Sequence, residues 1–315
     1  GAFGVTIIAL GALLVPAIAE AGYREKFNLG LITTSGSLGL LFAPSLPLIL
    51  YGIIAEESVD KLFLAGLLPG ALMLVLLSLW CIREGRFVHR RAPKPPFQLR
   101  EAWHALRESA WELPLPVIVL GGVYSGFFAV SEAAVVTVVY VLVVEVLIYR
   151  DIPLRRLPQI MRDSMMLVGG ILIILGASLA STNLMIDQQV PARLFELVTT
   201  YISSKLSFLI LLNLFLLALG MMLDIFSALV IVVPLILPIA AGYGVDPIHL
   251  GMIFLANMQI GYCTPPVGMN LFIASYRFER PVMLLYRATV PFLVILLISV
   301  LIITYWPWLS LVLVR

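Results

Sequence analysis

The sequence predicts an all-α, multi-pass membrane protein built as an inverted repeat, with re-entrant helical hairpins and two discontinuous helices. Three observations predict it. The 315 residues are 61% hydrophobic and only 12% charged, far from soluble usage, and the apolar residues gather in runs long enough to cross a hydrocarbon core. Two of those runs, "TTSGSLGLLFAPSLP" and "NMQIGYCTPPVGM", hold helix breakers and hydrogen-bonding side chains in the middle of apolar sequence. Third, the Gly and Pro punctuation recurs at a fixed spacing. The net charge of +2 carries little, because orientation is read from where Lys and Arg fall between spans. Cys81 and Cys263 lie far apart in apolar surroundings and give no disulfide framework. Phosphate loop, dinucleotide fingerprint, nucleophile elbow and metalloprotease pair are all missing, and three scattered histidines make no metal site. Neither an enzyme nor a nucleic-acid partner is expected.

Taken in order, the chain opens "GAFGVTIIAL" without Met, basic n-region or cleavage site, and so reads as a piece of a longer protein. Membrane-depth segments follow at about 28 to 54, 61 to 81, 112 to 129, 132 to 149, 164 to 182, 206 to 241, 248 to 275 and 288 to 308. The connector from Ile82 to Ser109 holds seven Arg or Lys against three Glu, and that from Arg150 to Ser164 holds four Arg against two Asp. Both are expected inside, so residues 112 to 149 cross twice, turning near "FFAVSE", with Glu132 as a helix-start residue. "LREAWHALRESAW" reads as an interfacial helix or as an ordinary solvated connector. "EAGYREKF" and "SYRFERP" then fall inside, and "EESVDK", "DQQVPARLFE" and "GYGVDP" outside, which leaves sixteen of the twenty Lys and Arg cytoplasmic. As one straight helix, residues 206 to 241 would span about 54 Å against a core of ~30 Å. They are expected to fold back at "LGMMLDIFSA" as a re-entrant hairpin rather than as two thin, tilted spans.

Sliding the chain on itself by 222 residues superposes Pro16 on Pro238, Gly22 on Gly244, Gly39 on Gly261, Pro44 on Pro266 and Pro69 on Pro291. The charge rule places the loop at "EAGYREKF" inside and its counterpart "GYGVDP" outside, so the two copies run in opposite directions. Paired interrupted helices in inverted repeats point to a secondary transporter with its site near the midplane. The organisation expected is a first half at 1–82, a cytoplasmic connector at 83–111, linking spans at 112–204 and a second half at 205–315.

In each break, prolines withhold N–H donors and glycines allow unusual dihedrals. Carbonyls freed at the end of a half-helix, with hydroxyls and amides beside them, are the oxygen ligands that a small hard cation such as Na⁺ requires. The positive N-terminus of the following half-helix is free for an anion. The Na⁺ candidates are Ser35, Ser37 and Gly39 in the first break, and Asn257, Gln259, Gly261 and Thr264 in the second. Thr34, Pro44 and Ser45 support the first; Pro265, Pro266 and Gly268 shape the second. The facing hairpin turns, Gly220 to Asp224 and the residues near Gly4 to Thr6, are expected to complete the sites. Asp224, the acid expected deepest, either binds a cation or caps the turn.

"AGYREKFNLGLITTSGSLGLLFAPSLPLILYG", "GGVYSGFFAVSEAAVVTVVYVLV" and "ANMQIGYCTPPVGMNLFIAS" together resemble the large membrane subunit of TRAP transporters, the tripartite ATP-independent periplasmic systems. The likeness runs over essentially the whole chain. Ala43 stands where the family usually has a second proline, and the family's N-terminal spans and first hairpin limb are absent. The resemblance implies an inner-membrane, Na⁺-coupled importer of small organic anions, carboxylates or sugar acids. It also implies a small membrane subunit and a periplasmic binding protein as partners, and an elevator-type movement. The competing readings are a passive anion channel, a symporter that works without a binding protein, and an intramembrane enzyme, for which a single deep Asp has no partner acid.

Overall fold

The computed structural model describes residues 3–88, 99–189, 193, 196, 199–202 and 204–314. The described residues contain helices and no strand. In chain order these are α1 Phe3–Glu20, α2 Glu25–Ser35, a 3₁₀ turn Leu38–Leu41, α3 Leu46–Ala55, α4 Val59–Val88, α5 Leu99–Glu108, α6 Pro114–Tyr124 and α7 Val130–Leu142, which runs into a π-helical turn Val143–Ile148. After a 3₁₀ turn at Leu154–Arg156 come α8 Leu157–Asp187, α9 Lys205–Gly220, α10 Ile225–Gly242, α11 Pro247–Gly261, α12 Met269–Phe278, α13 Val282–Tyr305 and the short α14 Trp308–Leu311. The starts carry ordinary chemistry: Ser204, Asp224 and Asp246 cap α9, α10 and α11 with side-chain oxygens, and Pro247 opens α11 where its missing N–H is not needed.

The chain divides into two compact units, one of residues 1–93 with 178–315, the other of residues 94–177. In the second unit α6 packs on α7, with Gly122 against the Phe128 ring, and Tyr140 donates to the Trp111 carbonyl at 2.7 Å. Glu132 accepts the Ala129 N–H at 3.0 Å, so it does start α7. The stretch from 112 to 129 differs from expectation: α6 covers only Pro114–Tyr124, about 16 Å of helix, because Pro114 opens it late and the chain turns at Ser125. Leu99, Trp103 and Leu106 lie exposed along one side of α5, at the spacing of an amphipathic helix.

The first unit contains the repeat. Helices α1 and α10 begin at Phe3 and Ile225 and end at Glu20 and Gly242, 222 residues apart at both ends. Helices α2 and α11 start at the same spacing, at Glu25 and Pro247. After the breaks the spacing becomes 223, with α3 at Leu46–Ala55 matching α12 at Met269–Phe278, and α4 and α13 starting at Val59 and Val282. The second break holds one extra residue, so the pairing of Pro69 with Pro291 is one residue out of register. Backbone detail follows the same correspondence: Gly22 and Gly244 both take positive φ, Ala43–Pro44 and Pro265–Pro266 are both cis, and Glu56 and Glu279 both end a half-helix in the left-handed region.

Packing obeys the exchange of halves. Where α2 packs on α13, α11 packs on α4; where α3 packs on α10, α12 packs on α1; where α2 meets α12, α11 meets α3. The copies are antiparallel. Along the groove between α4 and α13, Leu76 and Leu79 lie with Ile295 and Ile298, whereas Trp80 and Glu84 lie with Arg287, Ala288 and Pro291. Rising numbers on one helix meet falling numbers on its counterpart. The segments expected on one side of the membrane also gather: Arg24 and Lys26 line one cavity with Glu84 and Arg287. At the other end Tyr51 donates to the Pro247 carbonyl, and Lys205 to that of Gly244 at 2.6 Å.

The predicted fold-back in the long apolar run is present. Helices α9 and α10 are antiparallel limbs joined by Met221–Asp224, and their base is held by Phe208 stacked on Tyr243, centroids 4.5 Å apart. At 16 residues, α9 is about 24 Å long, short of a ~30 Å core. Helices α4, α10, α13 and the α7 segment are long and apolar enough to cross, as is the α2–α3 pair if its 41° bend is one broken span.

Candidate functional site

Both broken spans are interrupted where the helix breakers predict. After Ser35 the chain tightens into the 3₁₀ turn, then bends through Phe42 to Pro44 and reaches α3 at Leu46. After Gly261 it leaves helical geometry from Tyr262 to Gly268 and resumes at Met269. The two breaks meet each other. The Thr33 carbonyl, in the last turn of α2, accepts the Asn270 amide at 3.3 Å and the Cys263 thiol at 3.7 Å. The ends of the two broken helices are thereby pinned to each other.

The hairpin turn approaches the second break closely through main chain. A Cβ on Gly261 would lie 2.5 Å from the backbone of Gly220, and one on Gly220 would lie 3.1 Å from the Gly261 Cα. Only two glycines permit this approach. Gly268 donates its N–H to the Met221 carbonyl at 3.3 Å. Its φ of +55° and the Thr264 carbonyl 2.8 Å from where a Cβ would stand both require glycine there. Asp224 is the N-cap of α10, its Oδ2 accepting the Phe226 and Ser227 N–H groups at 3.0 Å each. The cap role left open by the sequence is therefore realised. Gly4 to Thr6, expected as the turn facing the first break, lie instead in the first turn of α1, with Gly4 against Ile273 of α12; residues 1 and 2 are outside the described residues.

Hydroxyls line the first break. Thr34 donates to the Gly30 carbonyl at 2.7 Å, Ser35 to Ile32 at 3.4 Å, Ser37 to Thr34 at 3.4 Å and Ser45 to Leu40 at 2.6 Å. In the second break Thr264 donates to Ile260 at 2.8 Å. A hydroxyl whose proton is committed to a carbonyl presents only lone pairs elsewhere, so each is an acceptor toward anything that enters. Thr34, Ser37 and Ser45 are fully buried. Gly39, Pro44, Pro265 and Pro266 are exposed, and the Gly39 carbonyl accepts Phe42 N–H at 3.4 Å.

Amides line the second. Asn257 is fully buried and donates to Asn213 Oδ1 at 2.7 Å and to the Ile253 carbonyl at 2.8 Å. Thr304 donates to the same Asn213 oxygen at 3.1 Å, and His249, also buried, joins Ser310 and the Thr304 carbonyl at 3.2 Å each. Among the described residues Asn257 Oδ1 has no partner, nor has either amide atom of the fully buried Gln259. Buried amides left unpaired cost about 1–3 kcal/mol each, and their oxygens are of the kind that binds a hard cation. No group of three His, Cys, Asp or Glu forms among the described residues; the two breaks themselves offer hydroxyl, amide and carbonyl oxygens.

Sequence reasoning passed over Asn213, Asn270 and Thr33. Asn213 was detectable as a lone amide in "LLNLFLL", since a polar residue in an apolar run needs a partner. Asn270 and Thr33 act across a sequence distance that no local pattern spans.

The family model described as "Tripartite ATP-independent periplasmic transporter, DctM component" matches residues 2–309. The C4-dicarboxylate TRAP transporter large permease protein of Pseudomonas aeruginosa is 36% identical over 99% of this chain and 73% of its own length. That of Rhodobacter capsulatus is 34% identical over 99% of this chain and 74% of its own. The sialic acid TRAP transporter large permease protein of Vibrio cholerae is 32% identical over 96% of this chain and 71% of its own.

Proposed function

The chain belongs to the DctM family of TRAP transporter large membrane subunits, and from that premise we propose that it imports a small organic anion coupled to Na⁺, the anion being delivered by a periplasmic binding protein. It is a transport component of the bacterial inner membrane, multi-pass and without enzymatic activity. A small membrane subunit completes the complex. The substrate is a carboxylate or sugar acid, a class suggested by the C4-dicarboxylate and sialic acid named for the relatives.

One observation carries the Na⁺ assignment: the hairpin turn is seated on a broken helix whose buried Asn257 and Gln259 oxygens have no partner among the described residues. Neutral hydroxyl, amide and carbonyl oxygens around an unwound backbone suit a monovalent cation, whose own charge they do not cancel. The cation sits at the negative C-terminal end of a half-helix, and the positive N-terminal ends of α3 and α12 are left for the carboxylate. Binding each charge lowers the cost of bringing in the other. Two Na⁺ with a monoanion move one net charge inward and gain ~2.3 kcal/mol per 100 mV. The hairpin and the two broken helices move together in an elevator-type step.

Uptake of candidate acids into proteoliposomes bearing the complete complex tests this, with and without binding protein and with and without an inward Na⁺ gradient. Accumulation that needs both supports the proposal. Uptake that persists without either marks a pore; uptake that needs Na⁺ alone marks a symporter independent of the binding protein.

A further inference from the structure

Four cations contributed by three separate parts of the chain meet at one end of the α4–α13 groove. Arg24 and Lys26 come from the segment into α2, Arg287 from the first turns of α13, and Arg83 from the last turns of α4. Glu84 is the one acid in the lining. Among the described residues none of the four cations has a carboxylate within ion-pair distance, whereas Arg280 is paired with Glu25 at 2.7 Å. Beneath them lies a cavity of about 190 Å³, and Trp80 in its wall has a buried indole N–H with no acceptor.

The groove continues. Past Trp80 a second cavity of about 260 Å³ is lined by Leu76, Leu79, Ile295 and Ile298, and the guanidinium of Arg83 lies 5.0 Å over the Trp80 ring between the two regions. From Arg287 to Ile298 along α13 the channel covers about 16 Å, half of a ~30 Å hydrocarbon core and hence one leaflet. The basic end belongs to the loops that the distribution of Lys and Arg places in the cytoplasm.

We propose that this groove is a binding site for one anionic phospholipid of the inner leaflet, its phosphate held by Arg24, Lys26 and Arg287 and hydrogen-bonded by the Trp80 indole, and an acyl chain lying along α4 and α13. The charge excess calls for an anion. The Trp80 indole N–H, buried in the cavity wall, has no acceptor among the described residues, and the apolar continuation calls for a chain attached to that anion. A free phosphate fills only the first of the two cavities. Basic pockets between membrane helices on the cytoplasmic side are suited to phospholipid headgroups.

The test uses the complete complex in detergent, delipidated and then titrated with phosphatidylglycerol or phosphatidylcholine, with retained lipid counted by native mass spectrometry. Wild type is expected to retain phosphatidylglycerol at least about tenfold more tightly than phosphatidylcholine. The Arg24→Gln, Lys26→Gln, Arg287→Gln triple variant should lose that preference, and Trp80→Phe, which keeps the packing, should weaken it about threefold. Should the triple variant fail to fold, Arg287→Gln alone is expected to reduce the preference about fivefold. Equal retention of the two lipids by wild type, or unchanged preference in both Trp80→Phe and the charge variants, overturns the site. So does displacement of the lipid by millimolar inorganic phosphate, which would mark a free-anion site. Release of the small subunit by the charge variants would make the groove a protein interface and also refute the proposal.

Discussion

The two breaks share one backbone plan and differ in what fills it. At the first, every named hydroxyl is turned onto a carbonyl of its own segment, and Ser45 closes the loop on Leu40. At the second, one more residue is present, a hairpin turn is seated on the helix end, and amide atoms of Asn257 and Gln259 stay unpaired. Repetition fixes where the helices stop; the side chains decide what each stop can hold.

The sharpest way to break this comparison is to add one methyl group to each of two matched glycines. Gly39 and Gly261 stand 222 residues apart, yet a Cβ meets nothing within 4 Å at the first and backbone at 2.5 Å at the second. Gly261→Ala is expected to cost about 1–3 kcal/mol through overpacking, with a lower thermal midpoint of the purified complex and abolished uptake. Gly39→Ala should leave the midpoint unchanged. Equal effects would mean that the hairpin is not seated as described.

Asn257→Ala comes next. It removes a candidate ligand and leaves the buried Asn213 with only Thr304 as a bonded neighbour. Na⁺ half-saturation of uptake should rise about tenfold, ~1.4 kcal/mol, with expression intact. Thr264→Ala should act in the same direction and Ser37→Ala less, since the first break surrounds its carbonyls with more hydroxyls. Wild-type Na⁺ activation in all three would remove the site assignment. Asp224 separates cap from ligand. Asp224→Ala should cost about 0.5–2 kcal/mol of stability, whereas Asp224→Asn should be nearly neutral because asparagine caps as well. A loss of Na⁺ activation in Asp224→Asn would show that the carboxylate serves the ion as well.

The architecture was legible where backbone chemistry is local. Gly and Pro placed both breaks, and a 36-residue apolar run, too long for the bilayer and interrupted at Gly220 and Asp224, gave the turn between α9 and α10. The charge tally put Arg24, Lys26 and Arg287 on one side, and they line a single cavity. Legibility ended where partners are distant or where a gapless comparison cannot register an insertion. Asn213 meets Asn257 across 44 residues and Asn270 meets Thr33 across 237, and neither follows any helical period. The extra residue in the second break moved the later helices by one position and made the coincidence of Pro69 with Pro291 misleading. The span expected at 112 to 129 was read from hydropathy, which does not register where Pro114 lets a helix begin.

The contact between Gly220 and Gly261 has a wider consequence. A joint formed by polypeptide skeleton is indifferent to the solute beside it, so amides and hydroxyls around it can be exchanged over generations without loosening the seat of the turn. Specificity can drift while the hinge-bearing frame is inherited intact.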